Sequence, residues 1–360
     1  MNMLPKQIKA NTLCVLLAAA LTSSNLFALP DPSTHDAAKS AIQRWKDTHK
    51  PHVLKQHVMP RFQAAYKIKY PLQVDKFIGE MNPQNILFYL TKLVSYEDRS
   101  ANSINGQKAA TWIKDEIEKI AKVNRRNDIN IYFVDSGSNA GEKLIQPSVI
   151  VKIGTSNDPG IVIGAHLDTL PVDILGHSEI KPGADDDGSG SATLLELART
   201  LISSDIRFKK PIYIIWYAAE EWGLIGSEQV VTEFKNKNIP IAAVLQLDMT
   251  GYRENNDPTM WLINDYVNPE LTSFLEKLIN VYIKQPVQYT TCNYSFSDHA
   301  SWNNAGIPSS IAYESKICDG NPNVHTSADT MSTLSLPHMT NFAKLAAAFT
   351  IELSEPIEKN

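Results

Sequence analysis

From residue 80 onward, short β-branched runs alternate with segments of helical spacing, and few architectures accept that alternation. INIYFV (130–135), SVIVKI (148–153), GIVIGAH (160–166), PIYIIWYAAEE (211–221), AAVLQLDM (242–249), MWLIN (260–264) and IPSSIAYE (307–314) read as strands. NILFYLTKLVSY (85–96), QKAATWIKDEIEKIAKV (107–123), SATLLELARTLIS (191–203), ELTSFLEKLINVYIK (270–284) and HMTNFAKLAAAFTIEL (338–353) repeat apolar residues as helices do. The 211–221 run is apolar on both faces, which suits the centre of a sheet. Strands alternating with helices imply a largely parallel sheet covered on both sides. No internal repeat or low-complexity linker interrupts the pattern after residue 80.

Upstream the character differs. Lys6 and Lys9 precede an apolar run, 13–21, then a polar stretch and a small residue at Ala28. That is the outline of a secretory signal over residues 1–28, and the run is too short to span a bilayer. Residues 29–78 are rich in Lys, His, Gln and Pro with weak periodicity, and read as a candidate propeptide ahead of a folded domain at 79–360. His49, His52 and His57 lie there, but HxxH without a glutamate is a weak metal signal, and a solvated leader accounts for them. The net charge of −5 points to no nucleic-acid partner. Export makes one disulfide possible between the remaining cysteines, Cys292 and Cys318; two free thiols are the alternative.

In parallel sheets ligands gather beyond the carboxyl ends of strands. Here GIVIGA ends in His166 with Asp168 two residues on, YIIWYAA ends in Glu220 and Glu221, and AVLQL ends in Asp248. Asp185, Asp186 and Asp187 stand in PGADDDGSG just before a helix, and His325 follows the last strand. One strand-end acid is usually a cap or a solvated turn. Several strand-end acids and histidines in one sheet point to a shared metal site. Imidazole with carboxylate suits zinc or a similar first-row cation, whereas calcium wants oxygen alone. A carboxylate shared between two cations is the usual bridge of a two-metal site, and of two adjacent glutamates one can ligate while the other faces the substrate.

At these residues the chain resembles the M28 family of zinc aminopeptidases, in particular the secreted bacterial leucyl aminopeptidases. GAHLDT (164–169), PGADDDGSG (182–190), YAAEEWGLIGS (217–227), LQLDMTGY (245–252), YSFSDHASWNNAGIP (294–308) and NVHTSADT (323–330) recur in order. Any one piece is weak; the ordered set is specific and runs from about residue 80 to 355. The resemblance implies an α/β fold, a three-layer αβα sandwich around a mixed, largely parallel twisted sheet. It implies two Zn2+, with Asp186 bridging, His166 and Asp248 completing one site, and Glu221 and His325 completing the other. Glu220 would be the general base towards a zinc-activated water, Asp168 would hold the second ring nitrogen of His166, and Tyr294 would help stabilise the oxyanion. Asp185 and Asp187 would brace the loop, Asp187 at a helix N-terminus. Substrates would be peptides with a free N-terminus, met by a secreted or periplasmic enzyme, monomeric and without a membrane span.

The family likeness also implies a side-chain pocket near Met249, Phe296, Ile311, Ile317 and Val324, which favours Leu, Met or Phe as first residue. Gly320 leaves room for longer side chains. Asp319 adjoins the pocket as a possible partner for Lys or Arg, although a turn role in CDGNP accounts for it better. Secreted relatives carry a CGYxC pair around the tyrosine; here Phe296 takes the second cysteine's position, and a Cys292–Cys318 bridge is expected instead. The same fold also hosts glutaminyl cyclases, typically with one zinc. A non-catalytic binding ectodomain would have lost ligands or the base, and here all five ligand positions and Glu220 are present. A serine hydrolase is disfavoured because no GxSxG elbow occurs.

Overall fold

Side chains on a strand alternate between its two faces, so a strand between two helical layers feeds two separate cores. The computed structural model describes residues 66–139, 141–170, 181–316 and 320–357. Its main sheet has eight strands: β1 (Ile129–Val134), β2 (Ser148–Ile153), β3 (Gly160–His166), β4 (Ile212–Tyr217), β5 (Ile241–Leu247), β6 (Met260–Ile263), β7 (Val287–Thr290) and β8 (Ser309–Tyr313). The spatial order is β1-β2-β4-β3-β5-β8-β6-β7. The central run β4-β3-β5-β8 is parallel throughout, while β1, β2 and the β8–β6 junction pair antiparallel.

Along β4, Ile212, Ile214 and Trp216 enter one core and Tyr213, Ile215 and Tyr217 the other. The larger core packs against helices α1 (Pro71–Glu80), α2 (Pro83–Val94), α3 (Ile104–Val123), α4 (Gly188–Ser203), α6 (Pro269–Leu278) and α8 (Leu336–Ser354). The smaller packs against α5 (Ile225–Asn236) through Val230, Val231 and Phe234, and against α7 (His299–Asn304) through Trp302. This is the three-layer αβα sandwich around a mixed, mostly parallel sheet. Helix starts are written locally: Asn82, Ser103, Asp187, Asn268 and Ser335 each accept a backbone N–H of the first turn. Proline opens α1, α2, α6 and α8, where its missing N–H costs nothing.

Several elements differ from the periodicity reading. The 211–221 strand leaves the sheet at Tyr217, because Ala219 takes a left-handed backbone (φ 55°) that turns the chain out. The 242–249 strand stops at Leu247, with Met249 likewise left-handed (φ 57°). Helices α5 and α7 and edge strand β7 are short or weakly periodic and went unassigned. Helix α1 begins inside the stretch read as leader and runs two residues past its end. Its Val74 and Phe77 are fully buried in the larger core, and Tyr66, Ile68 and Tyr70 pack against it. Glu352 of α8 accepts the N–H groups of Lys69 and Tyr70. The folded unit therefore reaches back to residue 66, and the boundary expected at 78/79 falls within a packed helix. The expected signal peptide, residues 1–28, and the leader up to 65 lie outside the described residues. Among the described residues no helix is long and apolar enough to cross a membrane.

Phe77→Ala is expected to lower unfolding free energy by about 3–5 kcal/mol, as an aromatic removed from a closed core does. Exposed Leu72→Ala on the same helix should stay within about 0.5 kcal/mol. Urea unfolding of the chain from residue 66 measures both.

Candidate metal centre

Four adjacent parallel strands, β4, β3, β5 and β8, open at their carboxyl ends onto one crevice. From β3 the chain steps to β4 through α4 on one face, then back past β3 to β5 through α5 on the other. Such a reversal leaves a gap beyond the strand ends. His166 is the last residue of β3, Glu220 and Glu221 follow β4, and Asp248 follows β5. Asp186 arrives on the loop before α4 and His325 on the loop after β8.

These residues form two triads with ligand atoms within 4.8 Å of one another, His166–Asp186–Asp248 and Asp186–Glu221–His325. Asp186 belongs to both. Its Oδ1 lies 2.9 Å from Nε2 of His166 and its Oδ2 lies 2.9 Å from Nε2 of His325. His166 Nε2 is 3.6 Å from Asp248 Oδ1, and His325 Nε2 is 3.3 Å from Glu221 Oε2. Burial alone would drive His166 towards neutrality, but Asp248, Asp168 and Asp186 outweigh it and hold its pKa well above the imidazole value. Burial likewise would raise Asp186, yet the two histidines hold it below the carboxylate range. Burial, with Glu221 and Asp248 nearby, pushes Glu220 well above that range. So many buried acids on so few cations make a site whose charge favours divalent ions.

The three consecutive aspartates divide their work. The Asp186–Asp187 peptide bond is cis. Asp187 caps α4 through Gly190 N–H, and it also accepts the N–H of His166 and of Met249. One carboxylate thus ties the ends of β3 and β5 to α4. A Cβ at Gly190 would stand 2.4 Å from Asp187 Oδ1, so only glycine lets the helix start this close. Asp185 points away and accepts from Asn321 Nδ2 at 2.9 Å. Both neighbours of Asp186 brace the loop, and neither belongs to a triad.

Asp168 stands at the second ring nitrogen of His166 and also serves a second pair of groups. Its backbone carbonyl faces His166 Nδ1 at 3.0 Å, while its carboxylate is 3.6 Å away. The carboxylate is engaged by the N–H groups of Glu220 and Glu221, at 3.0 and 3.1 Å. Asp168 therefore orients the adjacent glutamates with its side chain, while its carbonyl and its carboxylate both face the histidine.

The crevice holds a cavity of about 120 Å³, lined on its apolar side by Leu224, Met249, Phe296, Tyr313 and Val324, with Tyr294 at the rim. Of the expected pocket residues, Met249, Phe296 and Val324 line it. Ile311 is fully buried beneath, in the same apolar cluster as Met249, Cys292 and Tyr313. Ile317, Cys318 and Asp319 lie outside the described residues, and with them the Cys292–Cys318 pairing. Tyr313, whose hydroxyl donates to Met249 Sδ, was not foreseen. Ala219, Leu224, Met249 and His325 all have left-handed backbones, a strain of order 1–3 kcal/mol each that concentrates at functional sites.

Two further residues escaped the motif reading. Asp329 accepts the N–H groups of Asp185 and Asp186. Arg99, fully buried, donates to the carbonyls of Leu167, Pro182 and Gly183, bracing the loops that carry Asp168 and Asp186. Burial lowers its pKa, and Asp329, Asp187, Asp186 and Asp168 oppose that loss. Asp329 stands inside NVHTSADT (323–330), which gives it a place but no role, and the signal for Arg99 is a single arginine in SYEDRSAN, too short to read alone.

Comparison with known proteins agrees with this geometry. The profile of peptidase family M28 matches residues 148–350. Leucine aminopeptidase 1 of Ajellomyces dermatitidis is 32% identical over 320 residues, covering 84% of this chain and 80% of that one. The crystal structure of the Legionella pneumophila LapA aminopeptidase superposes with a TM-score of 0.77 at 45% identity, over 87% of this chain and 80% of that one. A glutaminyl cyclase of Porphyromonas gingivalis shares the fold, with a TM-score of 0.64 at 17% identity over 75% of this chain and 97% of that one.

Arg99→Met should cost about 3–5 kcal/mol, since buried carbonyls and acids lose their counter-charge. Arg99→Lys should recover only part, lacking the fork that reaches three carbonyls. Denaturant unfolding of the metal-free proteins measures the difference.

Proposed function

Starting from a chain that belongs to peptidase family M28, we propose that it is a di-zinc aminopeptidase that releases an apolar first residue from peptides. The observation that carries this reading is Asp186, whose two oxygens each meet the histidine of a different triad. The donors fit the metal: each triad offers one imidazole and two carboxylates, a set suited to zinc. His166 and Asp248 would hold one ion, Glu221 and His325 the other, and Asp186 both. Zinc supplies a Lewis acid that brings the pKa of water towards about 7 and polarises the scissile carbonyl.

The side chains supply the rest. Glu220 lines the cavity without belonging to a triad, and its raised pKa suits a group that takes a proton from the attacking water and returns it to the leaving amine. Desolvation and the surrounding acids keep the Tyr294 hydroxyl protonated, hence a donor towards the developing oxyanion. The carboxylates that line the cavity, Asp186, Glu220, Glu221 and Asp248, attract a free α-amino group, which limits cleavage to the first residue. Leu224, Met249, Phe296, Tyr313 and Val324 offer the substrate side chain an apolar wall, and a cavity of this size takes one Leu- or Phe-sized group. Export through the first 28 residues and a Cys292–Cys318 bridge belong to the same reading.

Leucine, methionine and phenylalanine p-nitroanilides should be cleaved faster than the lysine and glutamate compounds. Glu220→Gln should keep two metals per chain while kcat falls about 10²–10⁴-fold. Asp186→Ala should lose metal. One metal per chain with cyclisation of N-terminal glutamine would instead favour a cyclase.

Metal binding should also be linked to pH. The raised pKa keeps His166 protonated in the metal-free protein to higher pH, and each such proton must leave before the ring can ligate. Apparent zinc affinity therefore rises with pH and levels off above that pKa. Calorimetric titrations in buffers of different ionisation enthalpy should report net proton release that shrinks as pH increases.

A further inference from the structure

One construction recurs around the crevice: a carboxylate that takes two successive backbone N–H groups of the loop bearing a functional residue. Asp168 does so for Glu220 and Glu221, and Asp329 for Asp185 and Asp186. The third case lies where no role has been assigned. Asp265, two residues beyond β6, accepts Cys292 N–H on Oδ1 at 3.0 Å and Asn293 N–H on Oδ2 at 2.5 Å. Asn293 has a left-handed backbone, φ 68°, and successive N–H groups beside such a residue converge on an anion. The next residue is Tyr294.

The clamp has a firm base. Asn264 N–H donates to Thr290 carbonyl at 3.0 Å, so the end of β6 is already joined to the end of β7 just before the loop begins. On the far side Phe296 packs its ring edgewise on Tyr313, 5.6 Å between centroids, and against Tyr294 at 6.2 Å. Tyr294 is 44% exposed, with its ring against Phe296. The backbone that carries it to the crevice is held at 292 and 293 by one carboxylate.

We propose that Asp265 is a positioning residue for the reaction: by binding both amides it fixes the turn that aims the Tyr294 hydroxyl into the crevice. The catalytic part of this rests on the aminopeptidase reading of Tyr294. Asp265→Asn keeps the shape but turns one acceptor into an NH2 that opposes an N–H. With leucine p-nitroanilide it should lower kcat about tenfold or more, with KM within about threefold and two metals retained. Tyr294→Phe should lower kcat by itself, and the double variant should be no slower than Tyr294→Phe alone, because both changes remove one interaction. Asp265→Glu, which restores two acceptor oxygens, should recover part of the loss. Hydrogen exchange at 290–298 should accelerate in Asp265→Asn while the β3 and β5 segments stay protected.

Multiplicative losses in the double variant, or an Asp265→Asn enzyme with unchanged kcat while Tyr294→Phe is impaired, would overturn the proposal. Unchanged exchange at 290–298 overturns it whatever the kinetics. If the wild-type protein releases no leucine, the aminopeptidase reading fails, and exchange at 290–298 alone then decides the clamp.

Discussion

Carboxylates withdrawn from water repel one another and lose hydration, so a crevice crowded with them has to be held together by other charges and dipoles. Here Asp168, Asp185, Asp186, Asp187, Asp248, Glu220 and Glu221 all stand buried at one end of the sheet. Backbone N–H groups answer several of them, and His166 and His325 answer Asp186. Arg99 adds a fixed cation that touches carbonyls rather than acids, so it braces the loops without occupying the place of a metal. What charge remains is of the kind that suits divalent ions.

The same carboxylates serve as joints. Asp187 links the ends of β3 and β5 to the start of α4, and Asp168 links β3 to the turn after β4. Asp329 reaches back from the loop after β8 to Asp186, the residue common to both triads. Strand ends that differ widely in sequence position are thus bound through backbone amides to acids one layer behind the triads. Left-handed residues such as Met249 and His325 persist because these joints over-determine the turns around them. Disturbing an acid behind the site should therefore be felt at the triads in front of it.

Much of this was legible in the chain. Buried parallel strands are continuous β-branched runs, and their ends are marked by sudden acids and histidines, so the sheet and the residues at its strand ends could be read in order; their division into two triads came with the family resemblance. Helix starts were legible too, because a cap is a local contact between neighbouring residues. Less was legible where a signal is short or shared. Helix α1 reads as a polar leader because only Val74 and Phe77 of its face are fully buried, yet those two anchor it in the larger core.

The sequence by itself determined the alternation of strands and helices, the residue types at the strand ends and hence the kind of cation they suit, because each of these is written in period or in composition. Only the tertiary structure decided which oxygen goes where: that Asp186 alone of its run divides its oxygens between two histidines, that Asp168 serves the glutamates with its carboxylate and His166 with its carbonyl, and that Arg99, Asp329 and Asp265 hold the loops. Apart from the Asp168 carbonyl on His166, those choices are contacts between residues tens to hundreds of positions apart. They depend on the direction of a side chain after the sheet has closed, and no local pattern carries a direction.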